Sequence, residues 1–204
     1  DLGWCVDNDV NLDEAFYGTP CVSTSCGVVQ GRSEGGICVT LAPTFFDGAF
    51  GDESIRTAVA DWLADATAAE ATYGHISTWE TSGVTDMSWL FCVRQDWMDS
   101  ESHYDDKCFL SASFNEDIGA WDTSGVTRMY GMFWGASSFN QNIGGWSVDN
   151  VNEMGQMFNS ASAFDQDISA WSVDNVRDMH YMLNSASAFD QDISAWSVDN
   201  VRDM

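Results

Sequence analysis

Basic residues are scarce in this sequence of 204 residues. Lys and Arg together number seven against 32 Asp and Glu, which gives a formal net charge of −25. A surface with this balance repels nucleic-acid phosphates and anionic lipid headgroups, so nucleic acid is excluded as a partner, whereas divalent cations and basic proteins are attracted. Repetition of acidic turn residues would produce the same charge without any cationic partner.

Long apolar runs and N-glycosylation sequons are also missing. No apolar stretch approaches the roughly 18 residues of a membrane-spanning helix. No Asn-x-Ser/Thr triplet occurs, so we expect no N-glycosylation here. The sequence begins with Asp rather than Met, which a removed signal peptide or a fragment boundary would leave. Hydrophobic residues make up 45% of the chain, enough to bury a core.

Cysteine is absent from most of the chain, and its six residues fall into two groups. Four lie within the first 38 residues and two bracket a later segment: Cys5, Cys21, Cys26, Cys38, Cys92 and Cys108. An even count clustered in this way predicts disulfides and an oxidising compartment. Cys92 and Cys108 are expected to pair, while the first four allow three pairings. A zinc site is the competing interpretation, but no Cys-x-x-Cys pair occurs.

Repetition dominates the rest of the sequence. The 21 residues Asn159–Met179 recur unchanged at Asn184–Met204, and equivalent Trp, Phe, Val and Met residues recur every 25 residues. Trp79 belongs to an earlier unit that carries 17 additional residues at 92–108, bounded by cysteines. The sequence therefore predicts a five-unit array over 76–204, which we expect to continue beyond the last residue.

Each unit combines two periodicities. Trp171 and Val173 are predicted to face the same side of a short strand, with Ser172 on the other side. An amphipathic helix is predicted from residues spaced i, i+3, i+4 and i+7: Met179, Met182, Leu183 and Ala186. One unit cannot bury its apolar residues alone, but stacked copies share a core. The predicted fold is an α/β repeat solenoid, leucine-rich-repeat-like, with one short parallel strand and one short helix per 25-residue coil.

Stacking would place equivalent side chains above one another, about 4.8 Å apart. The predicted core ladder is Trp79, Trp121, Trp146, Trp171 and Trp196. A sugar-binding strip is the alternative for these rings, but the parity that Trp171 shares with Val173 favours core. A column of turn residues is also predicted: Asn150, Asn175 and Asn200. The outward residues form a candidate binding face for proteins or glycans: Asp122, Ser147, Ser172 and Ser197.

Two regions precede the array. Residues 1–45 are rich in Gly and Cys and are predicted to form a small disulfide-stapled module. Residues 46–75 contain a predicted helix from Asp52, its expected N-cap, to Tyr73, with Gly74 as its stop. We expect this helix to cover the open first coil of the solenoid.

Two stretches of the array carry a family resemblance. FNQNIGGWSVDNVNEMGQMF (Phe139–Phe158) and SGVTDMSWLF (Ser82–Phe91) resemble the bacterial surface protein 26-residue repeat family, which belongs with the BspA-like leucine-rich-repeat surface proteins. The resemblance covers about residues 76–204, and the helical run before it looks like that of algal or protist members. It implies a secreted or surface-displayed array concerned with adhesion or surface structure, without known catalytic residues. The 25-residue unit and the insertion depart from the family pattern.

Cation-binding patterns are weak. Asp7, Asp9 and Asn11 have the spacing of the first ligands of a calcium loop, but Leu12 and Gly18 stand where such a loop requires Gly and Glu. A turn-rich acidic stretch is the alternative. The insertion holds further carboxylates that suit either a loosely bound cation or a solvated loop: Asp96, Asp99, Glu101, Asp105 and Asp106. Calcium is the one cofactor the sequence raises.

Catalytic constellations are not recognisable, because His75, His103 and His180 stand apart without a nucleophile context. The leading hypothesis is therefore a non-catalytic extracellular or cell-surface structural or adhesive protein, which self-associates, for example into a filament, or contacts other surface proteins. The second is a lectin-like or receptor-like ectodomain that binds glycans or proteins through the polar face or the insertion. The third is a hydrolase hidden in the N-terminal module.

Overall fold

The structure, a computed structural model, describes residues 48–93, Cys108 and residues 113–204, together with the backbone of four short strands nearer the start of the chain. The chain divides into two compact units, Asp1–Phe45 and Phe46–Met204. The larger unit contains the two α-helices of the described residues and the described part of the repeat array.

Two pairs of strands are described in the smaller unit. β1 (Cys5–Val6) pairs in parallel with β2 (Val29–Gln30), and β3 (Arg32–Glu34) pairs antiparallel with β4 (Ile37–Val39). The side chains of the first four cysteines lie outside the described residues, and so do the calcium candidates Asp7, Asp9 and Asn11. The calcium prediction and the pairing of these cysteines therefore stay predictions.

The stretch 52–73, predicted as one helix, forms two helices. α1 spans Asp52–Ala64 and α2 spans Ala66–Tyr73. The break lies at Asp65, whose carboxylate accepts hydrogen bonds at 3.1 Å from the N–H groups two and three residues further on, and so caps a new helix. α2 ends at Gly74, whose φ of +76° favours a residue without a Cβ. A single 3₁₀ turn at Ile76–Thr78 leads into the array.

Backbone hydrogen bonds join each 25-residue unit to the next. Parallel single-residue bridges link one position of successive units, which we call the bridge column: Asp86, Arg128, Glu153, Asp178 and Asp203. Beyond each of the first three bridges, N–H groups at alternate residues donate to the following unit. Those of Met154, Gln156 and Phe158 reach carbonyl oxygens of the fourth unit at 2.8–2.9 Å. Bonding at alternate residues is the pattern of a β-ladder.

The segment predicted as the helix of each unit is a series of turns. Tyr181 and Ser185 have φ values of +52° and +59°, a left-handed backbone that an α-helix does not tolerate. Residues 171–173, predicted as a strand, are unpaired as a strand, and the bridge forms at Asp178 instead. The apolar spacing still identified core positions, because three of the four predicted helix-face residues are buried: Met179, Met182 and Ala186.

A continuous apolar core runs along the larger unit from Phe50 to Met182. Phe133 lies nearly parallel to Phe91 and Phe158, with ring centroids 5.5 Å apart and interplanar angles of 4°. A second column has steps of 5.9–6.1 Å: Phe114, Phe139, Phe164 and Phe189. Equivalent residues of successive units therefore stack directly on one another.

Candidate functional site on the bridge column

The tryptophan column lies in the core. Trp79, Trp121, Trp146 and Trp171 are 3–4% exposed, and Trp196 is partly buried against the same cluster. The indole N–H groups of the last four donate to the carbonyl of an Ile in the preceding unit at 2.9–3.2 Å. Each ring thus couples two units by packing and by a hydrogen bond. The first four rings are too buried to offer a face to a sugar.

The asparagine column also bonds between units. The side-chain amides of Asn150, Asn175 and Asn200 donate to a backbone carbonyl of the preceding unit at 2.7–2.8 Å. Glycine takes this position in the first two units. A Cβ on Gly83 would lie 2.7 Å from the carbonyl oxygen of Phe50, so the close approach of this backbone requires glycine there.

The candidate binding face is polar and partly engaged with its own chain. Three of its residues are exposed and Ser147 is half-buried: Asp122, Ser147, Ser172 and Ser197. The Ser147 hydroxyl donates to the Asp149 carboxylate at 2.9 Å, and the Asp122 carboxylate accepts the N–H of Ser124 at 2.9 Å. Side-chain and backbone hydrogen bonds from Ser124 hold the pKa of Asp122 below its usual value. These residues therefore form a solvated polar row of turns, in which Asp122 carries the charge.

The predicted disulfide between Cys92 and Cys108 is confirmed, with the two Cα atoms 4.8 Å apart. Cys92 is buried beside the rings of Trp89 and Trp134, whose centroids lie 5.5 Å apart. The disulfide therefore ties the second end of the insertion to an aromatic cluster at the side of the array. The carboxylates of the insertion lie outside the described residues: Asp96, Asp99, Glu101, Asp105 and Asp106.

Helix α1 meets the edge of the first unit with a carboxylate. Asp52 was the predicted N-cap, but the N-cap of α1 is Gly51. The Asp52 side chain points across to the array instead. It accepts the N–H groups of Thr85 and Asp86 at 2.7 and 3.0 Å. One unit later, the N–H of Thr127 donates instead to a carbonyl, that of Thr85. Partial burial opposes ionisation, but the hydrogen bonds from Thr85 and Asp86 outweigh it and lower the pKa of Asp52.

A guanidinium completes this edge. Arg56 donates to the carbonyls of Ser88 and Asp86 at 2.7 and 3.0 Å. In the next interface the corresponding carbonyls accept backbone N–H groups, those of Met87 and Trp89, at 2.9 Å. The side chains of α1 thus reproduce both the acceptors and the donors that a preceding unit would offer.

Charge varies along the bridge column, in contrast to the Trp column, which has the same residue in all five units. Asp86 pairs with Arg56 at 3.5 Å, and Arg128 pairs with Glu153 at 2.8 Å. The column lies along one side of a cleft to which Trp89 also contributes. Charged groups of both signs therefore alternate over the first three units.

A histidine lies beside the two remaining carboxylates of the column. The Nδ1 atom of His180 is 2.6 Å from Asp178 Oδ1 and 4.0 Å from Asp203 Oδ2. Among the described residues, these carboxylates have no Lys or Arg within 4.0 Å. One ligand-type atom from each of the three residues lies within 4.8 Å of the other two, close enough to share a cation.

The other ring nitrogen of His180 is held by the second and third units. Its Nε2 atom lies 3.1 Å from Tyr130 Oη and 3.3 Å from Gln156 Nε2, and the Gln156 amide donates to Tyr130 Oη at 2.6 Å. The imidazole is 23% exposed. A network that spans three units therefore fixes the ring beside the carboxylates.

Two glycines leave the space that this side of the array needs. Gly155 occupies the register position of His180 one unit earlier, and a Cβ there would lie 2.9 Å from His180 Nδ1 and from Asp178 Oδ1. Gly131 has a φ of +60°, and a Cβ on it would overlap the ring of Trp89. The variable residues of these columns thus fit one another across units.

His180 looks isolated in the sequence, because its hydrogen-bonding partners lie between two and 50 residues away. The 25-residue register supplies the missing signal. It places Asp203 above Asp178, and it aligns Tyr130 and Gly155 with His180. Reading the columns for residues that differ between units, in addition to those that repeat, would have found this cluster.

Comparison with known proteins places the chain in a family. No curated protein and no solved structure matches it significantly. One family matches at residues 59–107 and 106–204, and its description is "Mycoplasma protein of unknown function, DUF285". This match supports the resemblance to surface-repeat proteins at a coarse level. Since the two matched segments cover well over half of the chain, the protein belongs to the DUF285 family.

Proposed function

We propose that this protein is a non-catalytic structural or adhesive repeat protein of the extracellular space or cell surface. The observation that carries the proposal is the interface between units, which backbone N–H, indole N–H and Asn side-chain groups all cross. Interfaces of this kind extend by adding identical units, which suits an elongated scaffold better than a closed catalytic pocket. In this proposal the array is a leucine-rich-repeat-like solenoid, of the algal or protist type.

Charge and cysteine use support the location. The disulfide between Cys92 and Cys108 requires an oxidising environment to persist. Hydrogen bonds from Gln191 and from the Asp190 N–H lower the pKa of Asp165, and those from Ser169 lower the pKa of Asp167. These carboxylates stay ionised in mildly acidic surroundings, so the net negative surface keeps neighbouring molecules soluble. Within the described residues, no helix has the length and apolarity to cross a bilayer.

The location has a direct test in the cells that produce the protein. Antibodies against the purified chain are expected to label intact, unpermeabilised cells or their medium. Labelling that requires permeabilisation would contradict an extracellular role. Beads coated with the chain, compared with beads coated with its urea-unfolded form, measure adhesion to the same cells.

The partner we favour is a second copy of this chain, and other surface proteins are the next class. Head-to-tail docking, in which the last coil of one copy contacts the helix-covered end of the next, is a heterologous contact, and such contacts propagate into filaments when they do not close. Sedimentation of the chain at increasing concentration, with and without Ca²⁺, is expected to show larger species once the cation screens the carboxylates. A monomer under all conditions would exclude the filament.

The alternative is a glycan- or protein-binding ectodomain that uses the polar face or the insertion. The exposure of Asp122 and Ser172 favours it. A glycan array separates the two proposals. The binding module would be established by selective glycan binding with two properties. The double substitution Asp122→Ala and Ser147→Ala abolishes it, and Asp199→Ala leaves it intact. The structural proposal expects no selective glycan signal.

A further inference from the structure

We infer that Asp178, His180 and Asp203 bind a divalent transition-metal ion, for which Zn²⁺ is the best match. The ligand atoms are Asp178 Oδ1, His180 Nδ1 and Asp203 Oδ2, and they lie within 4.8 Å of one another. Ligand atoms around tetrahedral zinc are about 3.3 Å apart. The Nδ1 to Asp178 distance of 2.6 Å would widen and the Nδ1 to Asp203 distance of 4.0 Å would shorten, each by less than about 1 Å.

Electrostatics along the bridge column calls for a cation at this point. Asp178 and Asp203 face each other as partners of a parallel bridge, and like charges directly opposite one another destabilise a pairing. The earlier carboxylates of the column each pair with an arginine. In the described part of the chain, His180 is the sole basic side chain within 4.0 Å of this last pair. A bound cation would neutralise both carboxylates.

The imidazole is oriented from outside the cluster. A metal on Nδ1 requires the ring proton on Nε2, where Tyr130 Oη at 3.1 Å can accept it. In this tautomer the Gln156 amide, 3.3 Å from Nε2, donates to Tyr130 Oη and not to the ring. Metal-ligating histidines usually donate their second ring N–H to such a fixed acceptor. Tyr130 belongs to the second unit and is itself held by Gln156 of the third. The ring is thus fixed by groups that are not ligands.

The donor set selects among cations. One imidazole nitrogen with two carboxylates suits zinc, whereas calcium prefers six to eight oxygen ligands. The Asp203 side chain is 71% exposed, so water can complete the coordination sphere. The role is structural: the ion would tie Asp178 and His180 of the fourth unit to Asp203 of the fifth. The site stands or falls independently of the adhesive role proposed above.

Isothermal titration of the untagged chain with Zn²⁺ tests the site. We expect binding near one equivalent, at least tenfold weaker in His180→Ala and in Asp203→Asn. Asp203 is exposed, so its substitution leaves the fold intact and separates lost ligation from misfolding. His75→Gln is the matched control, because His75 lies outside the cluster with its Nδ1 beside Ser77 Oγ. It should bind Zn²⁺ as the unchanged chain does.

Two results would overturn the inference. One is the absence of Zn²⁺ binding, which would leave an ordinary Asp–His hydrogen bond. The other is Zn²⁺ binding that His180→Ala and Asp203→Asn do not weaken. Ca²⁺ titrated in the same way is expected to bind this site more weakly, and the reverse order would overturn the choice of ion.

A glycine tests the geometry without removing a ligand. Gly155→Ala places a methyl group 2.9 Å from His180 Nδ1 and Asp178 Oδ1, so it should displace both and weaken Zn²⁺ binding severalfold. Gly145→Ala is the matched control, since nothing lies within 4 Å of a Cβ there. Equal Zn²⁺ affinities in these two variants would contradict the placement of the ion.

Discussion

The described residues of Phe46–Met204 form two kinds of interface. The unit-on-unit interface joins one repeat unit to the next, and the helix-on-unit interface joins α1 to the first repeat unit. The same backbone edge takes part in both, but its hydrogen-bonding partners differ. Between units, one backbone edge meets another at alternate residues. At the first unit, the carboxylate of Asp52 and the guanidinium of Arg56 take the place of that second backbone. A backbone edge offers a further edge to the next unit, whereas a side chain offers none. Backbone pairing of this kind joins one repeat unit to the next, whereas side chains of α1 cover the edge of the first repeat unit.

A substitution in the core between two repeat units should lower the stability most. Trp171→Ala removes a 3% exposed ring and its hydrogen bond to the Ile143 carbonyl, so we expect a loss of about 3–5 kcal/mol in the free energy of unfolding. Urea denaturation followed by tryptophan fluorescence and circular dichroism measures it. Ser172→Ala, on the exposed side of the same segment, should stay within about 0.5 kcal/mol. Unchanged stability with loss of glycan binding in Trp171→Ala would instead make the column a binding strip.

Backbone strain should weaken the interface between the first two units by a smaller amount. Gly131→Ala puts a Cβ at a φ of +60° and into the Trp89 ring, so we expect a loss of about 2–3 kcal/mol. Gly145→Ala, where the Cβ meets nothing within 4 Å, should be neutral or slightly stabilising. Thermal unfolding compares the two variants. Equal melting temperatures would show that the Trp89 ring moves aside for the added methyl group without a loss of stability.

Repetition made the columns predictable, and its limits explain what was missed. The 25-residue step, with the 17-residue insertion allowed for, locates the stacked Trp and Phe columns, because equivalent residues in equivalent coils meet the same neighbours. Local conformation was not recoverable in this way. The apolar spacing of Met179, Met182 and Ala186 fits a helix and a run of turns equally well, and the left-handed backbone at Tyr181 carries no sequence signal.

The candidate site was missed for a related reason. It consists of positions at which the units differ, so no repeated pattern marks His180 or Tyr130. The disulfide was predictable, since Cys92 and Cys108 are the two cysteines that bracket the insertion. The role of Asp52 was not, because an acidic residue at the start of a helix reads as an N-cap whether or not its side chain turns towards another element.

Removing the Arg56 guanidinium from the helix-on-unit interface should lower the free energy of unfolding less than removing a core ring does. Arg56→Met leaves the carbonyls of Ser88 and Asp86 without their donors, and we expect a cost of about 1–3 kcal/mol. Arg56→Lys keeps the charge but loses the two-pronged donor, so it should fall between. Native-state hydrogen exchange is expected to show the loss near α1 and the first unit. A uniform loss across all units would mean that the array unfolds as one block.

The smallest expected effect is the pH dependence that Asp52 confers. Its pKa in the folded chain lies below the ordinary value of 3.8, because the N–H groups of Thr85 and Asp86 favour the carboxylate despite its partial burial. A lowered pKa contributes stability above the unfolded value, and this contribution is lost as the pH falls through the folded pKa. The stability difference between the unchanged chain and Asp52→Asn should therefore be constant above about pH 5 and shrink below pH 3.8.

Other carboxylates also titrate in this range, so the difference between the two proteins is the quantity to measure, by urea denaturation at each pH. Glu53→Gln removes one negative charge from the same turn and serves as the control. A difference that stays constant down to pH 2 would show that Asp52 holds the edge of the first unit as a neutral acceptor, without contribution from its charge.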